Sequence, residues 1–159
     1  AYEKRDRGEQ AFRTYQTLLT KYPKYGNFDR ALERQFDIAN QFYNGRWFKL
    51  WNIIPLYPSK DKTAELYKQI VSVAPYHPIG ARSQMQIGTV REAQKDYPEA
   101  VKTFLLAADR YYDRPDVAAD ALFRAGKALH AQAQRAEYDQ GAAGEAIDRF
   151  TDFIALYPD

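Results

Sequence analysis

Four tyrosines in this chain are followed directly by proline, at Tyr22-Pro23, Tyr57-Pro58, Tyr97-Pro98 and Tyr157-Pro158. A dipeptide that recurs at such intervals points to internal repetition, which restricts the fold more tightly than any single element does. The repeated unit is wider than the dipeptide. It sets a small residue, an aromatic four positions on and an apolar residue three beyond that. The copies read Ala11, Tyr15, Leu18; Thr63, Tyr67, Ile70; Ala100, Phe104, Ala107; and Ala146, Phe150, Phe153, with Thr63 and Ala107 as variations on the pattern. Spacing of i, i+4, i+7 puts the three side chains on one side of a helix. Pro23, Pro75 and Pro158 then act as stops, because proline drives the preceding residue out of the helical region.

Partner helices precede the later copies. Their signatures are Ile38-Ala39 with Phe42, Ile87-Gly88, and Ala125-Gly126 with Leu129, each with a small residue where two helices can approach closely. Pro98 stands at the start of its helix, where a missing N–H costs nothing, and Gly45 after Asn44 supplies a C-cap. The patterns predict seven helices, at about 9–21, 28–44, 62–73, 79–95, 97–112, 116–135 and 143–156. No stretch sustains period-two alternation, so no sheet is expected.

The segment from Gly88 to Tyr112, with Tyr97, Ala100, Phe104 and Ala107 in register, resembles the 34-residue tetratricopeptide repeat. That resemblance implies an all-α, right-handed superhelix of antiparallel helix pairs, one array over residues 1–159. The second-helix copies begin at 11, 63, 100 and 146, so they stand 52, 37 and 46 residues apart. All three spacings exceed the repeat length, which predicts insertions near 46–60 and 132–143. Repeat phase puts Tyr2 near the end of a first helix and Leu156-Tyr157-Pro158 at the close of a second one. Neither end reads as a polar capping repeat, so the chain is expected to be an internal piece of a longer protein.

Catalytic signatures are missing from the sequence. There is no phosphate-binding glycine loop, no dinucleotide fingerprint, no HExxH and no Gly-x-Ser-x-Gly. The lack of cysteine excludes a disulfide framework, thiol catalysis and zinc–thiolate sites. The two histidines, His77 and His130, lie far apart and neither has a ligand companion at i+3 or i+4. His77, between Tyr76 and Pro78, is expected in a solvated turn. No catalytic residue, metal or cofactor is expected, and the chain reads as a non-enzyme. With 23 basic and 21 acidic residues the net charge is only +2. Arg91, Lys95, Lys102 and Arg110 are scattered among acids rather than forming a basic stripe, so nucleic acid is not an expected partner. No apolar run approaches the roughly 18 residues of a membrane span.

A binding surface fits the pattern better. In tetratricopeptide arrays the first helices line the concave side. The positions expected to point into it are Phe36, Asn40 and Tyr43, then Arg82, Met85, Thr89 and Glu92, then Asp120, Phe123, Lys127 and His130. Aromatic, amide and both charges together suit an extended peptide. The same spacing also permits Phe36, Met85 and Phe123 to be helix-packing residues, since one position of error exchanges the two faces. The first insertion, Arg46 to Pro58, carries both tryptophans and is the most apolar stretch of the chain. Its candidate partner-binding residues are Trp47, Phe48, Trp51, Ile54 and Tyr57. They either fold back over their own repeat or present an association patch, and the two arrangements are compatible.

The units ending in Tyr-Pro, Leu18-Leu19-Thr20-Lys21-Tyr22-Pro23 and Phe153-Ile154-Ala155-Leu156-Tyr157-Pro158, resemble those of the BamD (YfiO) outer-membrane assembly lipoproteins. Arg34 to Phe42 followed by Asn44-Gly45, and Pro55 to Lys62 followed by Ala74-Pro75-Tyr76, are similar to the same family. The resemblance covers the whole chain. It implies a periplasmic, lipid-anchored, non-catalytic accessory of the β-barrel assembly machine, associated with the outer membrane of a diderm bacterium. Its implied partners are segments of unfolded outer-membrane proteins and the POTRA domains of a BamA-like subunit. The sequence departs from the family in carrying no lipid-acceptor cysteine, so the implied anchor lies outside these residues. Two other readings suit a repeat scaffold. One is a Tol–Pal-associated periplasmic protein like CpoB, and the other is a regulatory repeat domain of a larger protein.

Overall fold

In the computed structural model, which describes residues 8–24, 26–45, 49–50, 54–55, 59–135 and 140–157, the first of the repeated stripes forms helix α1 (Gly8–Lys21). It is followed by α2 (Phe28–Tyr43), α3 (Lys60–Val73), α4 (Pro78–Ala93), α5 (Tyr97–Arg110), α6 (Pro115–Arg135) and α7 (Gln140–Leu156). These are the seven helices among the described residues, each within a few residues of its expected place. A short ladder corrects the expectation of no sheet. Strand β1 (Lys49–Leu50) pairs antiparallel with β2 (Ile54–Pro55), Leu50 opposite Ile54, inside the first insertion. Two-residue strands are too short to leave an alternation in sequence, and proline is tolerated at such an edge.

The helix ends have identifiable causes. Ser59 accepts a hydrogen bond from the Lys62 N–H at 3.3 Å, and this N-cap starts α3 two residues earlier than the apolar pattern suggests. His77 is not simply solvated. Its Nδ1 accepts the Ile79 N–H at 3.1 Å at the entry to α4, while its Nε2 lies 3.5 Å from Asp29 Oδ1. Gly45, at φ 101°, follows the Asn44 cap of α2 in the left-handed conformation expected of it. At the end of α4 the left-handed position falls to Lys95, φ 61°. Bonds from Asp96 N–H to Arg91 O and from Lys95 N–H to Glu92 O complete a Schellman turn there. Helix α7 begins at Gln140, so it takes in Gly141, which the sequence pattern assigns to a loop.

The chain divides into two compact units, Ala1–Ser83 and Gln84–Asp159. In the first, α2 packs on both α1 and α3, and those two also touch. Phe12 and Leu19, Leu32 and Phe42, and Tyr67 and Ile70 fill its core. The buried Gln35 donates to Gln16 Oε1 at 2.6 Å, and Gln16 in turn donates to the Gln69 carbonyl at 3.4 Å. This amide relay ties all three helices together at polar sites that would otherwise be costly to bury. In the second unit α6 packs on both α5 and α7. Small residues control how closely the helices approach. A β-carbon added to Gly88 would run into the ring of Phe104, and one added to Gly126 would lie 2.8 Å from Cε1 of Phe150. Glycine and aromatic are thus matched in two successive pairs, as the repeat register predicts.

Candidate partner-binding helix faces

In the first unit, Phe36 does not line an open face. It is 2% exposed, with its ring centroid 5.8 Å from that of Tyr67 and the Arg82 guanidinium carbon 4.6 Å from its centre. The groove assignment is corrected for a simple reason. Phe36 lies four residues after Leu32 and three before Ala39, so it shares their buried stripe. Asn40 is half-buried and accepts the Tyr67 hydroxyl hydrogen bond at 2.7 Å. Burial raises the Tyr67 hydroxyl's pKa far above the ordinary tyrosine range, with Tyr43 adding to the effect. The Lys60 ammonium lies 4.2 Å from the centre of the Tyr43 ring and donates to the Tyr43 carbonyl at 3.3 Å. Phe36, Asn40, Tyr43 and Arg82 therefore gather around Tyr67 and Lys60 as a packed cation–aromatic cluster rather than a row of free side chains.

The second unit is different. Its part of α4 and the middle of α6 bring Thr89, Glu92, Asp120 and Phe123 together with Arg124 and Lys127. Arg124 Nε donates to both Asp120 oxygens at 3.0 Å, and its Nη1 donates to Thr89 Oγ1 at 3.4 Å. Thr89 donates onward to the Met85 carbonyl at 3.1 Å. Met85 itself is partly buried against the α5–α6 core. Desolvation raises the pKa of the half-buried Glu92 carboxyl. Arg124 and Lys127 oppose that shift, and Asp120 adds to it.

Phe123 is 42% exposed. Its ring leans on Phe150 and Phe153 with centroids 6.1 Å and 5.8 Å away, and the Lys127 ammonium sits 5.8 Å from its centre. His130 is exposed two turns further on, 3.0 Å from Gln134. The result is an aromatic surface bordered by a fixed guanidinium–carboxylate pair, a lysine and a reluctantly ionised carboxyl. Such a surface can stack an apolar or aromatic side chain and hydrogen-bond the backbone beside it.

Sequence reasoning misses Arg124, although Asp120 and Arg124 at i, i+4 are a visible charge pair. It misses Tyr67 and Lys60 as well, since only the fold brings them to Asn40 and Tyr43. Of the insertion candidates, Trp47, Phe48, Trp51 and Tyr57 lie outside the described residues, and Ile54 is described only as backbone in β2. Among the described residues no group of acidic or histidine side chains is arranged to hold a metal ion, and no helix is long and apolar enough to cross a membrane.

Residues 1–25 match the family model of the tetratricopeptide repeat. The sequence matches no curated protein. Among solved structures, the chain resembles the nearly identical tetratricopeptide-like repeats of a Podosopora anserina protein assigned as a kinesin light chain. A point variant of those repeats gives a TM-score of 0.55 at 16% identity, covering 98% of this chain and 69% of that one. A second structure of the same repeats gives 0.53 at 16% identity, with 97% and 70% covered. At that identity the likeness speaks to the fold. This is an all-α repeat protein of tetratricopeptide-like fold, whose first 25 residues match the tetratricopeptide repeat itself.

Proposed function

We propose that this chain is a non-catalytic scaffold that holds an extended segment of a protein partner on the α4–α6 face of its second unit. The fold is of a kind suited to protein–protein interaction. The observation that carries the reading is the Phe123 ring, open to solvent between Lys127 and the Arg124–Asp120 pair. A large exposed aromatic costs solubility unless something covers it, and aromatic residues beside arginine are the usual anchors of interfaces.

The resemblance to BamD lipoproteins supports a narrower version. In it the partner segment is the terminal strand of an unfolded outer-membrane barrel protein, the assembly partner is a POTRA-bearing barrel subunit, and the compartment is the periplasm. The experiment is purification of the tagged protein from its own envelope in mild detergent, with mass spectrometry of stoichiometric partners. It is paired with anisotropy titration of a labelled terminal-strand peptide. A co-purifying POTRA-bearing barrel, together with peptide binding lost in Phe123→Asp, is the expected result. Recovery with Tol–Pal components would overturn the narrower version. Peptide binding unchanged in Phe123→Asp would overturn the site.

A further inference from the structure

The two compact units carry opposite charge. Ala1–Ser83 holds 14 basic and 8 acidic side chains, while Gln84–Asp159 holds 9 basic and 13 acidic. A chain that is nearly neutral as a whole is therefore built from a unit of +6 and a unit of −4. An asymmetry of this size gives the first unit a preference for acidic partners that the total charge conceals.

Two of the surplus cations are held in place on one face of α2. The Arg82 guanidinium carbon lies 4.6 Å from the centre of the Phe36 ring, and the Lys60 ammonium 4.2 Å from that of Tyr43. Phe36 and Tyr43 stand seven residues apart on α2, so they share a side of the helix about 10 Å apart along its axis. Neither cation forms an ion pair among the described residues. Lys60, half-buried, donates one N–H to the Tyr43 carbonyl and has two left. Arg82 is exposed and makes no hydrogen bond among the described residues. A ring attracts the charge of a cation without consuming its N–H groups, which stay available to an acceptor. The segment joining α2 to α3 adds Arg46 and Lys49 and contains no acid, so it brings no counter-charge of its own.

We propose that this face of α2 seats an extended acidic segment of a partner protein, with Lys60 and Arg82 each taking one carboxylate. Both cations are already ordered by their rings, so little side-chain freedom is lost when the segment arrives. Arginine and lysine bonds to carboxylates are also the strong, charge-assisted kind. Phe36 is buried and Lys60 already occupies a face of Tyr43, so the site suits carboxylates better than bases, which need an open ring to stack on. The acidic unit of a second copy would meet the basic one head to tail, a contact that need not close and that risks filaments. The site belongs to the first unit and the Phe123 surface to the second, so each can be lost without the other.

The probe is a labelled ten-residue peptide with glutamate at every third position and serine elsewhere, which sets carboxylates about 10 Å apart in an extended chain. A copy with every glutamate changed to glutamine is the control, and anisotropy follows both. The expected result is saturable binding of the glutamate peptide that weakens as salt is raised, and none of the glutamine copy. Lys60→Met with Arg82→Met should lose about tenfold or more in affinity. Methionine keeps an apolar stem on each ring, and circular dichroism should show the helices retained. Arg82→Gln alone, at an exposed position, should lose part of the affinity and gives the same test should the double variant not fold. Lys21→Met with Lys24→Met removes equal charge elsewhere in the unit and should bind as the parent does, as should Phe123→Asp. No binding of the glutamate peptide, equal binding of the glutamine copy, full affinity in the Lys60 and Arg82 variants, or an equal loss in the Lys21 and Lys24 variant would each overturn the proposal. So would tighter binding of a ten-residue oligothymidylate, or self-association of the parent that the Lys60 and Arg82 double variant abolishes.

Discussion

Gly88 faces the ring of Phe104 with no room for a β-carbon between them. The contact joins α4 to α5, and Gly126 against Phe150 repeats it between α6 and α7. Gly88→Leu should overpack this crossing at a cost of about 1–3 kcal/mol. For a chain of this size that corresponds to a fall in melting temperature of about 2–4 °C per kcal/mol. Combining Gly88→Ala with Phe104→Leu should restore part of the loss suffered by Gly88→Ala alone. A thermal melt followed by circular dichroism decides it. An unchanged transition in Gly88→Leu would mean that the two helices do not meet there.

Phe36 and Phe123 should respond oppositely to the same substitution. Phe36→Asp buries a carboxyl beside Tyr67 and should cost about 3 kcal/mol or more, reducing helical content. Phe123→Asp changes a half-exposed ring and should leave most of the helical signal while removing the aromatic platform. Comparing their far-ultraviolet spectra and melts checks the assignment of one to a core and the other to a surface.

Lys95 occupies a left-handed turn that suits glycine better. Lys95→Gly should therefore stabilise the protein by about 0.5–1 kcal/mol. Equilibrium urea unfolding measures the change, and a destabilisation would show that the lysine side chain contributes more than the backbone strain costs.

Glu92 sets a pH dependence with a defined sign. Its folded pKa is raised above the unfolded value, so the native state holds the proton more tightly. That contribution is fully present below the unfolded glutamate pKa and is lost as pH rises through the folded value. Glu92→Gln should remove this dependence and raise stability at neutral pH relative to the parent. Denaturant midpoints of both proteins across the acid range test the prediction. A parent whose stability rises over that window by the same amount as the variant's would contradict it.

The repeat made much of the fold legible in sequence, because the small–aromatic–apolar stripe and its glycine partners are one-dimensional signals of helix crossings. Where a helix starts was less legible, since Ser59 and His77 act through individual cap bonds that leave no periodic trace. Gly141 suggests a loop, yet the helix runs through it despite a propensity penalty of about 1 kcal/mol. The candidate site was legible only in part. Phe123, Asp120, Thr89, Glu92 and Lys127 do come together, but Phe36 is one turn within a stripe that can face either way. Arg124, which organises the cluster, is recognisable in sequence only as half of a charge pair.

Most packing partners within each unit are near neighbours in the chain, as with α1 on α2, α2 on α3, α5 on α6 and α6 on α7, while α1 on α3 is a contact across one helix. Bringing such elements together closes only short loops, so little chain entropy is lost before native contacts begin to form. A protein built this way has no obligatory long-range nucleus. Folding can begin at any helix pair and spread outward, and a lesion in one pair slows that pair without stalling the others.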